Sequence, residues 1–348
     1  LQKCYLWFRD EIRGYSDMLK VGLLGAGRIG QVHAQTISGH AGSRLVAVSD
    51  VVTQNAQTLA SKYGAVVKSS DDILADPAID AVLIATSTDT HSDLIEAATA
   101  AGKAVLCEKP VDLSLGRARQ CQERVAGNGQ PVMLGFNRRF DPNFAALKSA
   151  IQGGEIGRPE LVSVTSFDPA PPPVSYVKVS GGLFRDMMIH DFDMVHFLMG
   201  DLPETISATG SSIVDPEIGK AGDFDTAVAT LTYADGRIAV IKNSRRAVYG
   251  YDQRVEVLGS QGLLQAQNML ENSVVKSTAQ GVQSAKPTYF FLERYMSAYS
   301  AEWNAFLTAL ADHAPMPVGL DDGVAALVMA EAATLSAQQG RPVPLSEI

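Results

Sequence analysis

The sequence predicts an α/β fold in two domains: a doubly wound parallel sheet, then an α+β domain with a large, mostly antiparallel open sheet. The 348 residues, 46% hydrophobic and 19% charged, suffice for two domains and a sizeable core. Short apolar runs alternate with helical patterns in the first part, and extended runs follow one another in the second. We place the domains at 18–136 and 137–348, after an extra N-terminal segment at 1–17.

Residues 1–17 precede the first predicted strand, which begins near Met18 in "MLKVGLLGAGRIG". The apolar patch "CYLWF" is too short for the core of a signal peptide, and charged residues follow it. We therefore expect the natural start at Met18 and regard the preceding segment as non-native or extra.

The first domain is predicted from five near-continuous apolar runs between Lys20 and Phe136: "KVGLLG", "RLVAVSD", "AVLIATS", "AVLCEKP" and "PVMLGF". Such runs are typical of strands buried on both faces of a parallel sheet. Segments such as "QNAQTLASKYG" and "HSDLIEAATAAG" have helical length and end at Gly. The alternation predicts a doubly wound domain.

The second domain is predicted from seven extended runs: "ELVSVTSF", "ETISATGS", "DTAVATLTY", "RIAVIKNS", "RVEVLGS", "GLLQAQN" and "SVVKS". Several alternate apolar and polar residues, as in a half-covered antiparallel sheet. "ADG" before Arg237 and "GSQG" before Leu263 are plausible hairpin turns. We expect helices at about 183–199, 289–311 and 322–338, and the uncovered sheet face suggests an oligomer.

Composition and charge limit the classes of binding partner and the compartment that we expect. A net charge of −9 argues against nucleic acid and anionic membranes, which attract clustered Lys and Arg. The sequence contains no run of 18 uncharged apolar residues, so we expect no transmembrane helix. Three widely spaced cysteines form neither a disulfide framework nor a zinc pattern, and they suggest a reducing cytoplasm.

The run "GAGRIG" completes the G-x-G-x-x-G pattern of dinucleotide-binding Rossmann domains, directly after a strand and before a helix. Asp50 ends the next strand, 20 residues past Gly30, where a carboxylate would bond the adenosine ribose. Val51 and Val52 offer no Arg for a 2′-phosphate, so NAD is favoured over NADP. The candidate cofactor residues in this part are Gly25, Ala26, Gly27, Arg28, Ile29, Gly30 and Asp50.

Two further strand ends point to the same crevice, since open α/β sheets bind ligands at the carboxyl ends of their strands. "AVLIATSTDTH" places Thr86, Ser87 and His91 beyond a strand, although helix capping by Ser87, Thr88 or Thr90 is an equally good explanation. For His33, on the first helix, we prefer a structural role.

"CEKP" ends another strand of the same domain. Pro110 biases Lys109 towards an extended conformation. This would hold the ammonium, with Glu108 before it, beside the nicotinamide. A lone strand-end lysine is usually surface charge, but the nearby glycine motif favours a functional role.

"GGLFRDMMIHDFDMVHFLMG" carries Asp186, His190 and Asp193 at spacing i, i+4, i+7, on one face of a helix otherwise rich in Met and Phe. His190 suits a general base for alcohol oxidation, because histidine titrates near neutrality. Asp186 can orient the imidazole or bind a substrate hydroxyl, and Lys109 can stabilise negative charge on the reacting oxygen. A metal site of Asp186, His190 and Asp193 is the alternative, but it lacks further ligands. Asp193 could equally be structural, either capping a loop or pairing with an Arg.

Together, "GAGRIG", "CEKP" and "GGLFRDMMIHDFDM" resemble the Gfo/Idh/MocA oxidoreductases, and "GFNRRFD", "NSRRAVYGYDQR" and "RYMSAY" resemble the inositol-oxidising branch. The resemblance runs from Met18 nearly to the C-terminus. It implies that Lys109, Asp186 and His190 form the catalytic group, converging on the C4 edge of a bound nicotinamide.

The resemblance also implies secondary contacts. Asn137 and Arg138 would face cofactor and substrate, and Asp168 and Tyr249 would contact the substrate. Tyr251 would share the face of Tyr249 if the segment is extended, and Tyr299 would approach the nicotinamide. Some members carry His and Asn where this chain has Ser166 and Asp168, a departure that bears on substrate stereochemistry.

The activity implied by the resemblance is NAD-dependent oxidation of myo-inositol at C2 to scyllo-inosose, by an oligomer that is often a tetramer. The alternatives are a dehydrogenase of another cyclic polyol or aldose, such as scyllo-inositol or a pyranose, and a cofactor-sensing regulator without catalysis. A regulator has no need of Lys109 and His190, and both are present.

Overall fold

A computed structural model describes residues 18–348, so the N-terminal segment expected at 1–17 lies outside the described residues. The chain divides into two units. The first contains the described residues up to Asp112, together with 116–135 and 299–320; the second contains 113–115, 136–298 and 321–348. Residues 299–320, which lie in the second predicted domain, thus cluster with the first.

The first unit contains a six-stranded sheet with helices between its strands. The strands are β1 (Leu19–Leu24), β2 (Ser43–Ser49), β3 (Val66–Val67), β4 (Ala81–Ile84), β5 (Ala104–Glu108) and β6 (Val132–Gly135). The helices are α1 (Arg28–Gly39), α2 (Thr53–Tyr63), α3 (Ser70–Ala75), α4 (His91–Ala100) and α5 (Leu115–Ala126), with a 3₁₀ turn at Thr88–Thr90. The five predicted strands are present, and β3 and α3 are additions.

The strand order is β3-β2-β1-β4-β5-β6, and every pair in this sheet is parallel. That is the order of dinucleotide-binding Rossmann domains, with the reversal of direction beside β1. All four residues of β4 are buried, as expected for a strand covered on both faces. The doubly wound domain is confirmed.

The second unit follows the expected change of pattern. Its strands are β7 (Pro159–Phe167), β8 (Thr205–Ser211), β9 (Thr226–Thr232), β10 (Ile238–Ser244), β11 (Asp252–Gly259), β12 (Gly262–Ala266), β13 (Val275–Thr278), β14 (Gly281–Ser284) and β15 (Val343–Pro344). Its helical segments are α6 (Pro142–Gln152), α7 (Val174–Val177), α8 (Leu183–Asp186), α9 (Ile189–Met199), α10 (Pro216–Lys220) and most of α12 (Leu320–Gln339), with 3₁₀ turns at Asn137–Phe140 and Leu345–Glu347. Helix α11 (Phe291–Ala311) begins in this unit, and its residues from Tyr299 onward belong to the first.

Seven of these strands form one mixed sheet in the order β12-β11-β7-β10-β9-β8-β15. Only the β7–β10 pair is parallel. The turn at "ADG" joins β9 to β10 with Gly236 at φ 88°, and residues 260–261 join β11 to β12, so both predicted hairpins are present. The mostly antiparallel sheet is confirmed.

One face of this sheet is covered and the other is not. Inward residues such as Val164, Ala229 and Ile241 are buried, whereas outward Leu161, Val228, Ile238 and Leu258 are 37–44% exposed. Strands β9 and β10 alternate between the two environments, which is the pattern of a half-covered sheet.

Two expectations for the second domain were wrong. "SVVKS" does supply β13, but β13 pairs with β14 in a separate two-stranded sheet. The single helix expected over 183–199 is two helices, α8 and α9. At the break the amide of Met188 donates to the carbonyl of Leu183, five residues back, so the α-helical ladder is interrupted.

Across residues 18–348, none of the helices combines the length and apolar character needed to cross a bilayer.

Candidate active site

The loop after β1 is built for close backbone approach. Gly25 has φ 96°, and a Cβ there would lie 2.3 Å from the carbonyl oxygen of Ala85. A Cβ on Gly30 would lie 2.1 Å from the carbonyl oxygen of Gly25. A Cβ on Gly27 would meet nothing within 4 Å. Gly25 and Gly30 are thus required by packing, whereas Gly27 is the glycine that keeps the approach to the helix open.

Helix α1 begins at Arg28 with Gly27 as its N-cap, so no side chain caps its first turn, which contains no acidic residue. The amides at a helix N-terminus and the helix dipole favour an anion such as a diphosphate. Arg28 is exposed and Ile29 half-buried at this end. This loop therefore fits the pyrophosphate of a dinucleotide.

Asp50 follows β2 and ties the glycine loop to the next strand. Its Oδ2 accepts from the amide of Ala26 at 2.6 Å, and its Oδ1 accepts from the amide of Val52 at 2.7 Å. Val51 is fully exposed beside it. A carboxylate fixed this way would bond ribose hydroxyls and repel a 2′-phosphate.

At the end of β4, Thr86 is half-buried and Ser87 exposed. The Thr90 hydroxyl donates to the carbonyl of Ser87 at 2.8 Å and lies 2.7 Å from Oγ1 of Thr86. His91 is buried, with Nδ1 2.8 Å from the carbonyl oxygen of Pro110 and Nε2 3.3 Å from that of Thr86. Burial lowers the pKa of His91, so the neutral ring bridges the ends of β4 and β5.

Glu108 and Lys109 stand where β5 ends, and the Lys109–Pro110 peptide bond is cis. Oε1 of Glu108 lies 2.8 Å from Nε2 of His33, and the buried ring of Tyr299 packs edge-on against that imidazole, 5.4 Å between centroids. His33 therefore orients Glu108, which agrees with the structural role expected of it. The part that Glu108, Lys109 and Tyr299 play towards a cofactor stays a prediction.

In the second unit, the break after α8 places Asp186 at the end of one helix and His190 in the first turn of the next. Oδ1 of Asp186 accepts from the hydroxyl of Tyr176 at 2.8 Å, and Oδ2 accepts from Nη2 of Arg245 at 3.2 Å. The imidazole of His190 meets the ring of Phe136 edge-on, 6.2 Å between centroids. Asp186 is thus held on both oxygens before any substrate binds.

Asp193 has a different role from the other two members of the pattern. It is buried and accepts from Nε and Nη2 of Arg139, at 2.6 Å for the shortest contact, and Arg139 also reaches Asp322 at 2.8 Å. The pairing with an arginine is the second of the two roles considered for it. Among residues 18–348, no group of three His, Cys, Asp or Glu is arranged to hold a metal ion.

Arg138 lies in a buried network centred on Asp191. Its Nη1 donates to Asp191 at 2.6 Å and to the hydroxyl of Ser166 at 3.0 Å. That hydroxyl lies 2.6 Å from Asp191, and Nδ2 of Asn243 donates to the other carboxylate oxygen at 2.7 Å. Ser166 and Asn243 are cross-strand neighbours on β7 and β10. The network thus joins the inner face of the sheet to α9, while substrate binding by Arg138 stays a prediction.

Asp168 lies just past β7, and the pKa of its carboxyl group is shifted by its surroundings. Burial raises its pKa to about 6, and the positive charges of Arg245 and Arg138 only partly oppose that rise. Asp186 and Asp191 raise it further by repulsion. Asp168 therefore belongs to one charged cluster with these four residues. Asn137, also expected at the substrate, is buried in the turn after β6.

The two tyrosines of "YGYDQR" are separated rather than aligned. Tyr249 lies in a turn before β11, 46% exposed, and its hydroxyl donates to Asp252 at 2.6 Å. Tyr251 is buried, with its hydroxyl 3.5 Å from Nη2 of Arg138. The shared face expected of an extended segment is wrong, because Gly250 has φ 131° and turns the chain between them.

Sequence reasoning missed three residues that define this region: Asp191, Arg245 and Tyr176. Asp191 is next to His190 and was passed over for the i, i+4, i+7 pattern. Arg245 follows β10 within "NSRR", so its position at a strand end was the available signal. Nothing in the local sequence marks Tyr176, whose hydroxyl reaches Asp186 from helix α7.

Two family models match the chain. One, an oxidoreductase-family NAD-binding Rossmann fold, matches residues 19–136, and the other, the C-terminal α/β domain of the same Gfo/Idh/MocA oxidoreductases, matches residues 148–345. The chain belongs to the Gfo/Idh/MocA oxidoreductase family. Its first unit is accordingly an NAD-binding domain, as the glycine loop and Asp50 predict.

Individual proteins are similar over most of the chain. An inositol 2-dehydrogenase of Rhizobium meliloti is 48% identical over 94% of this chain and 99% of that protein. A myo-inositol 2-dehydrogenase of Thermotoga maritima is 44% identical over 95% and 99%. A scyllo-inositol 2-dehydrogenase (NAD⁺) of Bacillus subtilis is 34% identical over 94% and 96%.

Solved structures share the fold. A myo-inositol dehydrogenase of Corynebacterium glutamicum superposes with a TM-score of 0.91 at 42% identity, covering 94% of this chain and 99% of that one. A scyllo-inositol dehydrogenase of Lactobacillus casei with bound NAD(H) and scyllo-inositol has a TM-score of 0.88 at 30% identity, covering 95% and 100%. A myo-inositol dehydrogenase of the same organism, in complex with NAD(H) and myo-inositol, has a TM-score of 0.85 at 26% identity, covering 94% and 97%.

Proposed function

We propose that this chain oxidises myo-inositol at C2 to scyllo-inosose, with NAD as the oxidant. The observation that carries the proposal is the 48% identity, over nearly the full length of both chains, to an inositol 2-dehydrogenase. A second support is the supply of suitable residue types: Asp186 ends α8 and His190 lies in the first turn of α9, and a histidine with a nearby carboxylate would suit the removal of a proton from an alcohol.

Three side chains carry the proposed chemistry. His190 takes the proton of the C2 hydroxyl, and Asp186, held on both oxygens by Tyr176 and Arg245, would orient the imidazole and stabilise its protonated form. Lys109 donates to the reacting oxygen and stabilises its developing negative charge. Bound NAD supplies the hydride acceptor.

The cofactor would be held by residues of the first unit. The amides at the start of α1 would bind the pyrophosphate, and Asp50 would bond the ribose. We assign the remaining contacts to the strand ends that carry Thr86, Ser87, His91 and Glu108–Lys109, and to Tyr299.

The substrate would be recognised by polar groups of the second unit. We assign Asn137, Arg138, Asp168 and Tyr249 to its hydroxyls, with Asp186 and His190. Arg138 is already paired with Asp191, and Ser166 is bonded inside the same network. Of the two positions where this chain departs from some family members, Asp168 is therefore the one free to select the polyol.

The second candidate substrate is scyllo-inositol, or more broadly another cyclic polyol or a pyranose. The 34% identity to a scyllo-inositol dehydrogenase favours it less than the 44% and 48% identities favour myo-inositol. The regulator alternative is disfavoured, because the relatives at 48% and 44% identity are dehydrogenases.

The test is direct assay of the purified protein with NAD or NADP against myo-inositol, scyllo-inositol, other inositols and pyranoses, following reduced cofactor at 340 nm. We expect the highest kcat/KM for NAD with myo-inositol, and the product to be identified as scyllo-inosose. A higher kcat/KM for a pyranose would replace the substrate assignment, and no turnover of any polyol would contradict dehydrogenase activity.

We further propose a homotetramer in the cytoplasm. The uncovered face of the large sheet, with four apolar side chains 37–44% exposed, supports self-association. The free, buried thiols of Cys107 and Cys121 support a reducing compartment. Sedimentation equilibrium would give the mass of the assembly. The substitution Val228→Glu, at an exposed position on the uncovered sheet face, should reduce that mass.

A further inference from the structure

The charged cluster in the second unit contains an arginine that the proposed chemistry does not use. Arg245 follows β10, its side chain is 2% exposed, and its amide donates to the carbonyl of Asp225 at 2.8 Å. Its Nη2 donates to Asp186 at 3.2 Å. A buried guanidinium is costly unless paired, and Asp186 is the only side chain in residues 18–348 to which a hydrogen bond from it is found.

A second donor to Asp186 is neutral. The Tyr176 hydroxyl binds Oδ1 at 2.8 Å, and this tyrosine is 47% exposed. Of these two donors, Arg245 brings positive charge to the carboxylate, and Tyr176 supplies a second point of attachment. Two bonds to different oxygens restrict rotation of the carboxylate.

The charge balance shows why the other arginine cannot replace Arg245. Arg138 is paired with Asp191 at 2.6 Å, whereas Arg245 is bonded to Asp186. Both arginines act on Asp168, and Arg245 has the larger effect. Loss of Arg245 would therefore remove a cation from Asp186 and from Asp168 together, while Arg138 stays with Asp191.

From this arrangement we infer that Arg245 is a positioning residue for the oxidation: it holds the Asp186 carboxylate in the orientation in which His190 can act as the base. The inference rests on the proposed function. Arg245 need not touch the substrate; it acts through Asp186.

The sign of the pH effect follows from removing a positive charge. Among the titratable and charged groups at this site, Tyr176 and Arg245 are bonded to Asp186, and Asp168 interacts with it through charge. Arg138 and Asp191 act on Asp168 in turn, and His190 lies four residues along the chain from Asp186. Loss of Arg245 makes the protonated form of every carboxyl and of the imidazole more favourable, so each pKa rises. The acidic limb of the kcat profile should therefore move to higher pH.

The principal experiment compares Arg245→Gln with Arg246→Gln, a matched change at the adjacent, exposed arginine. The profile of kcat against pH is measured with NAD and the best polyol. For Arg245→Gln we expect the acidic limb to rise by about one unit and kcat below the limb to fall by roughly tenfold or more. The KM for NAD should stay unchanged. Arg246→Gln should match the wild type.

Two further variants separate charge from shape. Arg245→Lys keeps the charge and should restore the position of the acidic limb. Tyr176→Phe removes only the neutral donor from a half-exposed side chain, and it should shift the limb in the same direction by less. If Arg245→Gln does not fold, these two variants carry the test: a wild-type profile in Tyr176→Phe, or an acidic limb displaced by a full unit in Arg245→Lys, would overturn the inference.

A second readout does not depend on turnover. NMR titration of the histidine ring nitrogens, with His190 assigned through His190→Gln, should show the pKa of His190 rising in Arg245→Gln. An unchanged His190 pKa would overturn the inference even if the protein is active. Absence of turnover in the wild type, with the expected NMR shift present, would contradict the proposed function and leave the positioning role supported.

Discussion

The glycine loop of the first unit and the charged cluster of the second are built on opposite plans. The loop is one run of six residues, Gly25–Gly30, whose working groups are backbone amides. The cluster takes side chains from α8, α9, β7 and the segments after β6 and β10, which lie up to about a hundred residues apart in sequence. Only the glycine loop can therefore be recognised from a short stretch of sequence.

The difference lies in what each region requires of its residues. In the loop, a Cβ at Gly25 or Gly30 would come within 2.3 Å of a backbone oxygen, so the residue type follows from local sterics. In the second unit, the environment of each carboxylate depends on the cation that it contacts. Within the cluster Asp186 contacts Arg245 and Asp191 contacts Arg138, and outside it Asp193 contacts Arg139. Exchange of partners would change the chemistry without changing the local sequence pattern.

The largest effect should come from the cluster. His190→Gln removes the proposed base, and we expect kcat to fall by roughly 10²–10⁴-fold, the usual contribution of a general base. The Kd for NAD, measured by calorimetry, should be unchanged. His196→Gln, on the same helix and bonded to the carbonyl of Asp201, is the control. Near-normal kcat in His190→Gln would remove it from the mechanism.

A change at the loop's neighbour should alter cofactor choice rather than turnover. Asp50→Ser with Val51→Lys removes the carboxylate and adds a cation at a fully exposed position. We expect the ratio of kcat/KM for NADP to that for NAD to rise roughly tenfold or more, about 1.4 kcal/mol. Val51→Lys alone keeps the carboxylate and should move the ratio less. An unchanged ratio in the double variant would mean that Asp50 does not read the ribose.

Substitutions at Gly30 and Gly27 should affect different properties, namely the stability of the fold and the affinity for NAD. Gly30→Ala forces a methyl group against the carbonyl of Gly25 and should lower the free energy of unfolding by roughly 1–3 kcal/mol. Gly27→Ala meets open space and should fold normally, with a raised Kd for NAD. Urea unfolding and calorimetric titration of both variants measure the two effects. Equal destabilisation of both would contradict this division of roles.

The smallest effect is a pH dependence at Asp168. Because its folded pKa is about 6 and its unfolded value near 4, the native state holds its proton more tightly and loses stability as pH rises through that interval. Asp168→Asn avoids this loss, so its stability relative to the wild type should improve by roughly 1–2 kcal/mol between pH 4 and 6.5, then level off. The exposed Asp89→Asn serves as control. A difference that is flat with pH would show that Asp168 is not buried as a charge.

Sequence patterns predicted the parallel strands, the glycine loop and the position of Asp50 at the end of the next strand, because each depends on neighbours in the chain. They also predicted the antiparallel sheet, through its alternation and its turns. They did not predict the break at Met187–Met188, the separation of Tyr249 from Tyr251, or the separate sheet of β13 and β14. Each of these depends on hydrogen bonds that compete with a regular local pattern.

The amino-acid sequence by itself determined the two folding patterns and the dinucleotide loop, since apolar periodicity and glycine sterics act over a few residues. Only the tertiary structure decided which arginine serves which aspartate, and hence that Arg245, rather than Arg138, lies at Asp186. The physical reason is that buried charges must be paired, and the partner is the cation that the fold brings within about 3 Å.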